Sequence, residues 1–546
     1  MRSAAFILLF IALLPAAACS QTSDSFDSGG PLMPEQAAYD VTYYELTLRV
    51  DDQKRTIDGS LRADVRYVEP RSVLVLDLVS DLDVHEVSVT DGTRLSWFRD
   101  GGKLWIDLGA EKSAGSTASV TVRYGGTPHV ARRAPWDGGF TWAETPSGAP
   151  WIATTCQGEG ADIWWPVKDH PSDEPDSMRM HITVRDPLVV AMNGRLENIT
   201  RPEAGLATYN WFVSTPINTY NVALNIAPYE VLRDVHTSPS GETYPVEFYV
   251  LPEDVEKGKA FLPEINRHLS FYEELLGPYP FRADKYGVAQ TPHLGMEHQS
   301  IIAYGANFDN GSMTGGKDWG FDALHHHELA HEWWGNLVTN ADWKDMWIHE
   351  GFGTYMQALY SEKLFGMEAY HEYMDAQRRG VRNRLAIGPR ESQTADQIYR
   401  ADIYAKGAYV LHTLRYLIGD EAMMTALRRM AYPDPEMEKV TDGSQCRFVS
   451  TDDFIKIAEK YSGRKLGWFF DVYVRQPALP ELVQERAGDE LRLKWKAPDG
   501  LPFTMPIDVR VGAETIRVPM DGGSGSIAVP EGVEIAVDPD RWVLRQ

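Results

Sequence analysis

The stretch that decides the reading is His327-Glu328-Leu329-Ala330-His331, followed a short way on by Trp347-Ile348-His349-Glu350-Gly351-Phe352. On a helix, residues i and i+4 lie one above the other on one face, so His327 and His331 aim two imidazoles at one point. Glu328 sits beside them and can face a water held there, the arrangement by which an H-E-x-x-H helix serves a zinc ion and a general base. Chance yields roughly 0.06 such motifs in a chain of this composition. Catalytic zinc takes three protein ligands and keeps a fourth position open. Glu350, nineteen residues past His331, opens the next helical run and supplies the third. His325 and His326 fall on other faces of the first helix and are not counted as ligands.

Outward from this centre the 546-residue chain divides into three zones. From 36 to 232 the apolar pattern alternates, as in Tyr44-Glu45-Leu46-Thr47-Leu48-Arg49-Val50 and Val120-Thr121-Val122-Arg123-Tyr124. Short period-two runs between turn signals predict an antiparallel β domain. From 233 to 480 the period becomes helical, with helices expected over 260–276, 323–337, 354–365, 404–418 and 451–461. From 481 to 546 strands return, beginning with Leu491-Arg492-Leu493-Lys494-Trp495. The fold class is therefore multidomain α+β.

The first residues read as processing signals. Met1-Arg2 is a short positive region, Phe6 to Leu14 is apolar but too short to span a bilayer, and Ala16-Ala17-Ala18-Cys19 resembles a bacterial lipobox. Residues 1–19 are expected to be a lipoprotein-type signal, with Cys19 acylated as the only membrane attachment; ordinary cleavage after Ala18 would leave a soluble exported protein. The Ser/Asp/Gly-rich residues from 20 to 35 are expected to be a flexible tether. No later stretch carries 18 unbroken apolar residues. The expected location is the cell envelope, with the outer membrane favoured, and the expected state is monomeric.

Composition narrows the rest. Hydrophobic residues at 43% and charged residues at 24% exclude wholesale disorder. A net charge of −25 without long Lys/Arg runs argues against nucleic-acid binding, which needs a concentrated basic surface. Three cysteines exclude both a disulfide scaffold and a four-cysteine zinc site.

The motif and its surroundings closely resemble the M1 family of zinc metallopeptidases, the gluzincin aminopeptidases. Gly335-Asn336-Leu337-Val338-Thr339 and Trp347 lie between the ligands as in that family. Leu294-Gly295-Met296-Glu297-His298 stands where the family has its G-x-M-E-N exopeptidase motif, 30 residues before His327 at Glu297. Thr155-Cys156-Gln157-Gly158-Glu159, Asp169-His170-Pro171, Pro216 to Tyr220 and Tyr404-Ala405-Lys406-Gly407 match further family segments. The resemblance implies a saddle-like N-terminal β domain, a thermolysin-like catalytic domain and a small C-terminal β-sandwich, without the large C-terminal helical domain of many relatives. It implies one Zn²⁺ on His327, His331 and Glu350. It implies Glu328 as general base and acid and Tyr404 as oxyanion stabiliser. It implies a substrate-binding set of Gln157, Gly295, Met296, Glu297 and His298, gripping peptides that have a free N-terminus. His298 replaces the family Asn, and His349 stands where relatives often have Asn. Two rivals are a thermolysin-like endopeptidase, which needs neither Glu297 nor Gln157, and a catalytically weak peptide-binding surface protein that retains zinc.

Overall fold

The computed structural model describes residues 26–546. The lipobox, Cys19 and the first part of the tether lie outside them.

Alternation builds the N-terminal domain as the sequence predicts. In the strand Thr56–Tyr67, Leu61, Ala63, Val65 and Tyr67 are buried while the intervening Arg62, Asp64 and Arg66 are not, so one face meets the core. Seven strands form the main sheet, in the order Arg195–Thr200, Leu206–Val213, Ser177–Arg185, Tyr39–Asp51, Thr56–Tyr67, Thr117–Gly126 and Leu82–Val89. The domain is not wholly antiparallel: Tyr39–Asp51 pairs in parallel with Ser177–Arg185. That pairing joins the first strand to one more than a hundred residues later, and alternation alone gives no partner or direction. A four-stranded sheet (Gly139–Glu144, Pro150–Thr155, Leu224–Ala227, Val189–Met192) carries the Gln157 loop just past the end of Pro150–Thr155.

The second, mixed α/β unit takes in residues slightly before 233. Glu230–Thr237 pairs with Thr243–Val250 and belongs to a five-stranded sheet that continues through Tyr286–Gln290, Ile302–Tyr304 and Gly295–Met296. Against it lie the helices Val255–Leu276 and Ala323–Ala330. On the long first helix, Phe261, Ile265, Leu269, Tyr272 and Leu276 recur at helical spacing and are buried. Trp347–Phe365 and Ala405–Ile418 complete the helical wall behind the centre. Two three-stranded sheets of residues 481–537 form the small C-terminal β unit. Cys156 and Cys446 are free thiols. Among the described residues, no helix is long and apolar enough to cross a membrane.

Two further expectations are corrected. The helix expected over 323–337 ends at Ala330. Beyond it the backbone widens, with the amides of Asn336, Leu337 and Val338 donating to the carbonyls of His331, Glu332 and Trp333, and Gly335 sits at φ +144°. Apolar spacing persists through these turns, which is why the pattern overruns. Second, the last part of the expected tether is not free: residues 26–35 lie on the protein, with Ser28 and Gly30 buried and hydrogen-bonded on both sides. Small polar residues signal a linker by composition, but here they let the backbone pass between two surfaces.

Candidate active site and metal centre

The helix Ala323–Ala330 starts on Asp322, whose carboxylate accepts from the His325 amide at 2.9 Å. All eight of its residues are buried. His325 is used up in the core, bonded to His268 and Tyr286 at 2.8 Å each, and His326 bonds Tyr272; neither faces the cleft. His331 is the C-cap residue, and its Nδ1–H donates to the Trp334 carbonyl at 2.9 Å. That bond fixes the tautomer and leaves the Nε2 lone pair for the cleft.

The three proposed ligands converge. His327 Nε2 and His331 Nε2 are 3.3 Å apart, and Glu350 Oε2 is 3.3 Å from the former and 3.5 Å from the latter. A tetrahedral ion with bonds of ~2.0–2.2 Å holds its ligands roughly 3.3–3.6 Å apart. The triangle therefore has the dimensions that zinc requires. Glu350 lies in the first turn of Trp347–Phe365, which begins seven residues earlier than the sequence pattern suggests.

Charge points the same way. Glu297, Glu328 and His331 also bring donor atoms within 4.8 Å of one another, so three carboxylates surround two imidazoles. Burial alone would lower the proton affinity of His331, but Glu350, with Glu297 and Glu328, more than reverses this and pushes it up to about 10. Burial works against the charged Glu350 carboxylate, yet the two imidazoles hold it well below the usual carboxylate range. Burial, then the Glu297 carboxylate, push Glu328 well above it. A divalent cation neutralises such an excess of buried negative charge.

The remaining candidate residues line the other side of the cleft. Gly295–Met296 is the outermost strand of its sheet, paired with Ile302–Tyr304 on one side only, so it offers an open edge for an extended peptide. A Cβ on Gly295 would come 2.6 Å from both Glu328 Oε1 and Leu324 Cδ1, so glycine lets this edge lie close against the Glu328 carboxylate. Glu297 accepts from Gln157 Nε2 and, at 3.0 Å, from Tyr220 Oη, while Asn336 Nδ2 donates to its backbone carbonyl at 3.1 Å. Tyr404 Oη donates to Glu350 Oε1 at 2.8 Å. Burial, then the Glu350 charge, raise its pKa well above the phenol range, so it remains a donor.

A cavity of about 690 Å³ joins these groups, with Gln157, Gly295, Met296, Glu297, His327, Glu328, His331, Glu350 and Tyr404 all in its wall. His298 is the exception. It is 0% exposed and neither ring nitrogen has a partner among the described residues; burial and His293 push its pKa down to about 3. The strand ends at Met296, and beyond it Glu297 stays in the cavity wall while His298 is buried outside it. It is therefore not placed to make the contact with substrate backbone expected of it. His349 accepts from the Asn340 amide at 3.0 Å and braces the loop behind His331. Lys406 is structural too, its ammonium donating to the carbonyls of Gln476 and Pro477.

Sequence reasoning missed Tyr399, which donates to Glu350 Oε1 at 3.3 Å and lines the cavity; nothing in its neighbourhood marks it. It also missed the role of Tyr220, although the Pro216 to Tyr220 segment carried a family pattern.

Comparison with known proteins agrees with this geometry. The description "Peptidase family M1 domain" matches residues 262–473, and "Peptidase M1 N-terminal domain" matches 40–221. Together they span well over half of the chain, which belongs to peptidase family M1. Aminopeptidase M1-C of Oryza sativa subsp. japonica is 24% identical over 506 residues, covering 88% of this chain and 54% of its own length. Leucyl aminopeptidase of Saccharolobus solfataricus is 21% identical, covering 70% of this chain and 49% of its own. The chain thus spans about half the length of these relatives. A crystal structure of an M1 zinc metallopeptidase variant from Deinococcus radiodurans, bound to a Tyr-Ser-Ala substrate, superposes with a TM-score of 0.67 at 25% identity. It covers 84% of this chain and 98% of that one.

Proposed function

We propose that this chain is a zinc-dependent aminopeptidase that removes the first residue of peptides with a free N-terminus. One observation carries the reading: Glu297, braced by Gln157 and Tyr220, opens into the same cavity as the His327–His331–Glu350 triangle. An exopeptidase needs a carboxylate beside its centre to hold the α-ammonium, and a charge-assisted bond of that kind is strong in a buried cleft.

The residues divide the work. His327, His331 and Glu350 would hold Zn²⁺, which would supply Lewis-acid activation of a water and of the scissile carbonyl. Glu328 takes a proton from the attacking water and passes it to the departing amine. The Tyr404 hydroxyl donates to the oxygen on which negative charge develops. Glu297 and the amide oxygen of Gln157 receive the substrate's ammonium, while the Gly295–Met296 edge holds its backbone. The Tyr-Ser-Ala ligand of the Deinococcus radiodurans relative supports a peptide as occupant.

The test is turnover of paired peptides, free and N-acetylated, with and without a chelator. Cleavage of the free form alone, lost on chelation and regained with zinc, supports the reading. Equal cleavage of both forms would favour an endopeptidase, and a zinc-loaded protein without turnover a binding role.

We also propose export with acylation at Cys19. Labelled palmitate should enter the full chain and not the Cys19→Ala variant; equal labelling would remove the anchor.

A further inference from the structure

We propose that the segment from Phe26 to Gly30 is a wall of the substrate cleft and that Phe26 is a specificity-determining residue, packing on the side chain of the substrate's first residue. The inference rests on the aminopeptidase reading above and names what that site selects.

The segment is stitched between two domains beside the centre. The Ser28 amide donates to the Gly158 carbonyl at 2.9 Å, one residue from Gln157. On the other side, the Ala395 amide donates to the Ser28 carbonyl at 2.9 Å and the Gly30 amide donates to the Gln393 carbonyl at 3.1 Å. Asp27 Oδ1 accepts from the Asp396 amide at 2.9 Å. Trp343 Nε1 donates to Ser28 Oγ at 3.3 Å, and the His170 ring bonds the Gly30 carbonyl at 3.0 Å. Gly29 is at φ +85°, and a Cβ there would meet Trp343 Cδ1 at 2.1 Å, so a side chain is excluded by both conformation and space.

This clamp fixes where Phe26 stands. Phe26 and Asp27 line the same cavity as Gln157, Glu297 and Tyr404. The Phe26 ring lies 4.7 Å from that of His129, yet the residue remains 41% exposed. Trp136, also in the cavity wall, is 62% exposed. Two large rings left open, among the described residues, at the mouth of a cleft gain apolar burial when a ligand covers them. The wall is attached next to Gln157, on the side that receives the ammonium. The side chain that reaches it is therefore that of the first residue, and the class selected is large and apolar.

The experiment compares Phe26→Ala with wild type on aminoacyl substrates headed by Phe, Leu and Ala. Because Phe26 is partly exposed and at the edge of the fold, its truncation leaves the core intact. The expected result is a loss of about fivefold in kcat/KM for the Phe and Leu substrates, through KM, with the Ala substrate changed less than twofold. Phe26→Trp should restore selectivity. Gly29→Val, which displaces the wall without altering the ring, should repeat the loss. An equal change on all three substrates, or none, would overturn the proposal. Wild-type turnover with unaltered selectivity in Phe26→Ala would sink only the wall. Absence of turnover on every free-amine substrate would sink the aminopeptidase reading and the wall with it.

Discussion

Gly351 and Gly407 face each other across the helices Trp347–Phe365 and Ala405–Ile418: a Cβ on either would lie 2.8 Å from the other's Cα. The two backbones touch because neither residue has a side chain. One glycine directly follows Glu350 and the other lies three residues past Tyr404, so this contact sets the 2.8 Å bond between their side chains. Gly407→Ala should force the helices apart at a cost of about 1–3 kcal/mol and lower kcat about tenfold or more by misplacing the Tyr404 hydroxyl. Zinc content and kcat, measured together, check this. Unchanged kcat in a folded, zinc-loaded variant would separate the glycine contact from Tyr404 placement.

Glu328→Gln keeps the shape of the cleft and removes the proton acceptor. Zinc content should stay near one per chain, while kcat falls at least ~10²-fold. Metal analysis and steady-state kinetics on the same preparation read both quantities. Wild-type-like turnover would take Glu328 out of its role.

The centre was largely legible because its chemistry is local. Two of the proposed ligands sit one helical turn apart, and the third lies in the first turn of the helix Trp347–Phe365, so spacing brings them into view. The three-zone layout followed from the change of apolar period. What escaped depends on contacts between distant segments. Tyr399 and Tyr220 reach the site through the fold, and His298, just past the end of the Gly295–Met296 strand, is buried outside the cavity. The glycines at 351 and 407 carry meaning only as a pair. The segment 26–30 resembles a linker in composition and becomes a wall only through the surfaces on either side of it.

Glu297→Ala should abolish the preference for a free amine. The kcat/KM for free-amine peptides should drop by about 10²-fold, toward the background seen with N-acetylated peptides, since a buried charge-assisted contact is lost. Unchanged kcat/KM on free-amine peptides in a folded, zinc-loaded variant would take Glu297 out of the ammonium site.

Lys168 and Asp173 form a buried ion pair at 2.5 Å, each side chain about 5% exposed or less. The Lys168 ammonium also donates to the Tyr39 carbonyl at 2.6 Å. Lys168→Met leaves the Asp173 carboxylate buried and unpaired, and should lower stability by about 3–5 kcal/mol. Urea denaturation of the two proteins measures the difference; a change under 1 kcal/mol would show that Asp173 is relieved by protonation or water.

The most direct test is anomalous scattering at the zinc absorption edge, from crystals of the full chain grown with zinc. The account predicts one strong peak bonded to His327 Nε2, His331 Nε2 and Glu350 at ~2.0–2.2 Å. A map with no peak among those three side chains, in crystals that diffract well enough to show them, would contradict it.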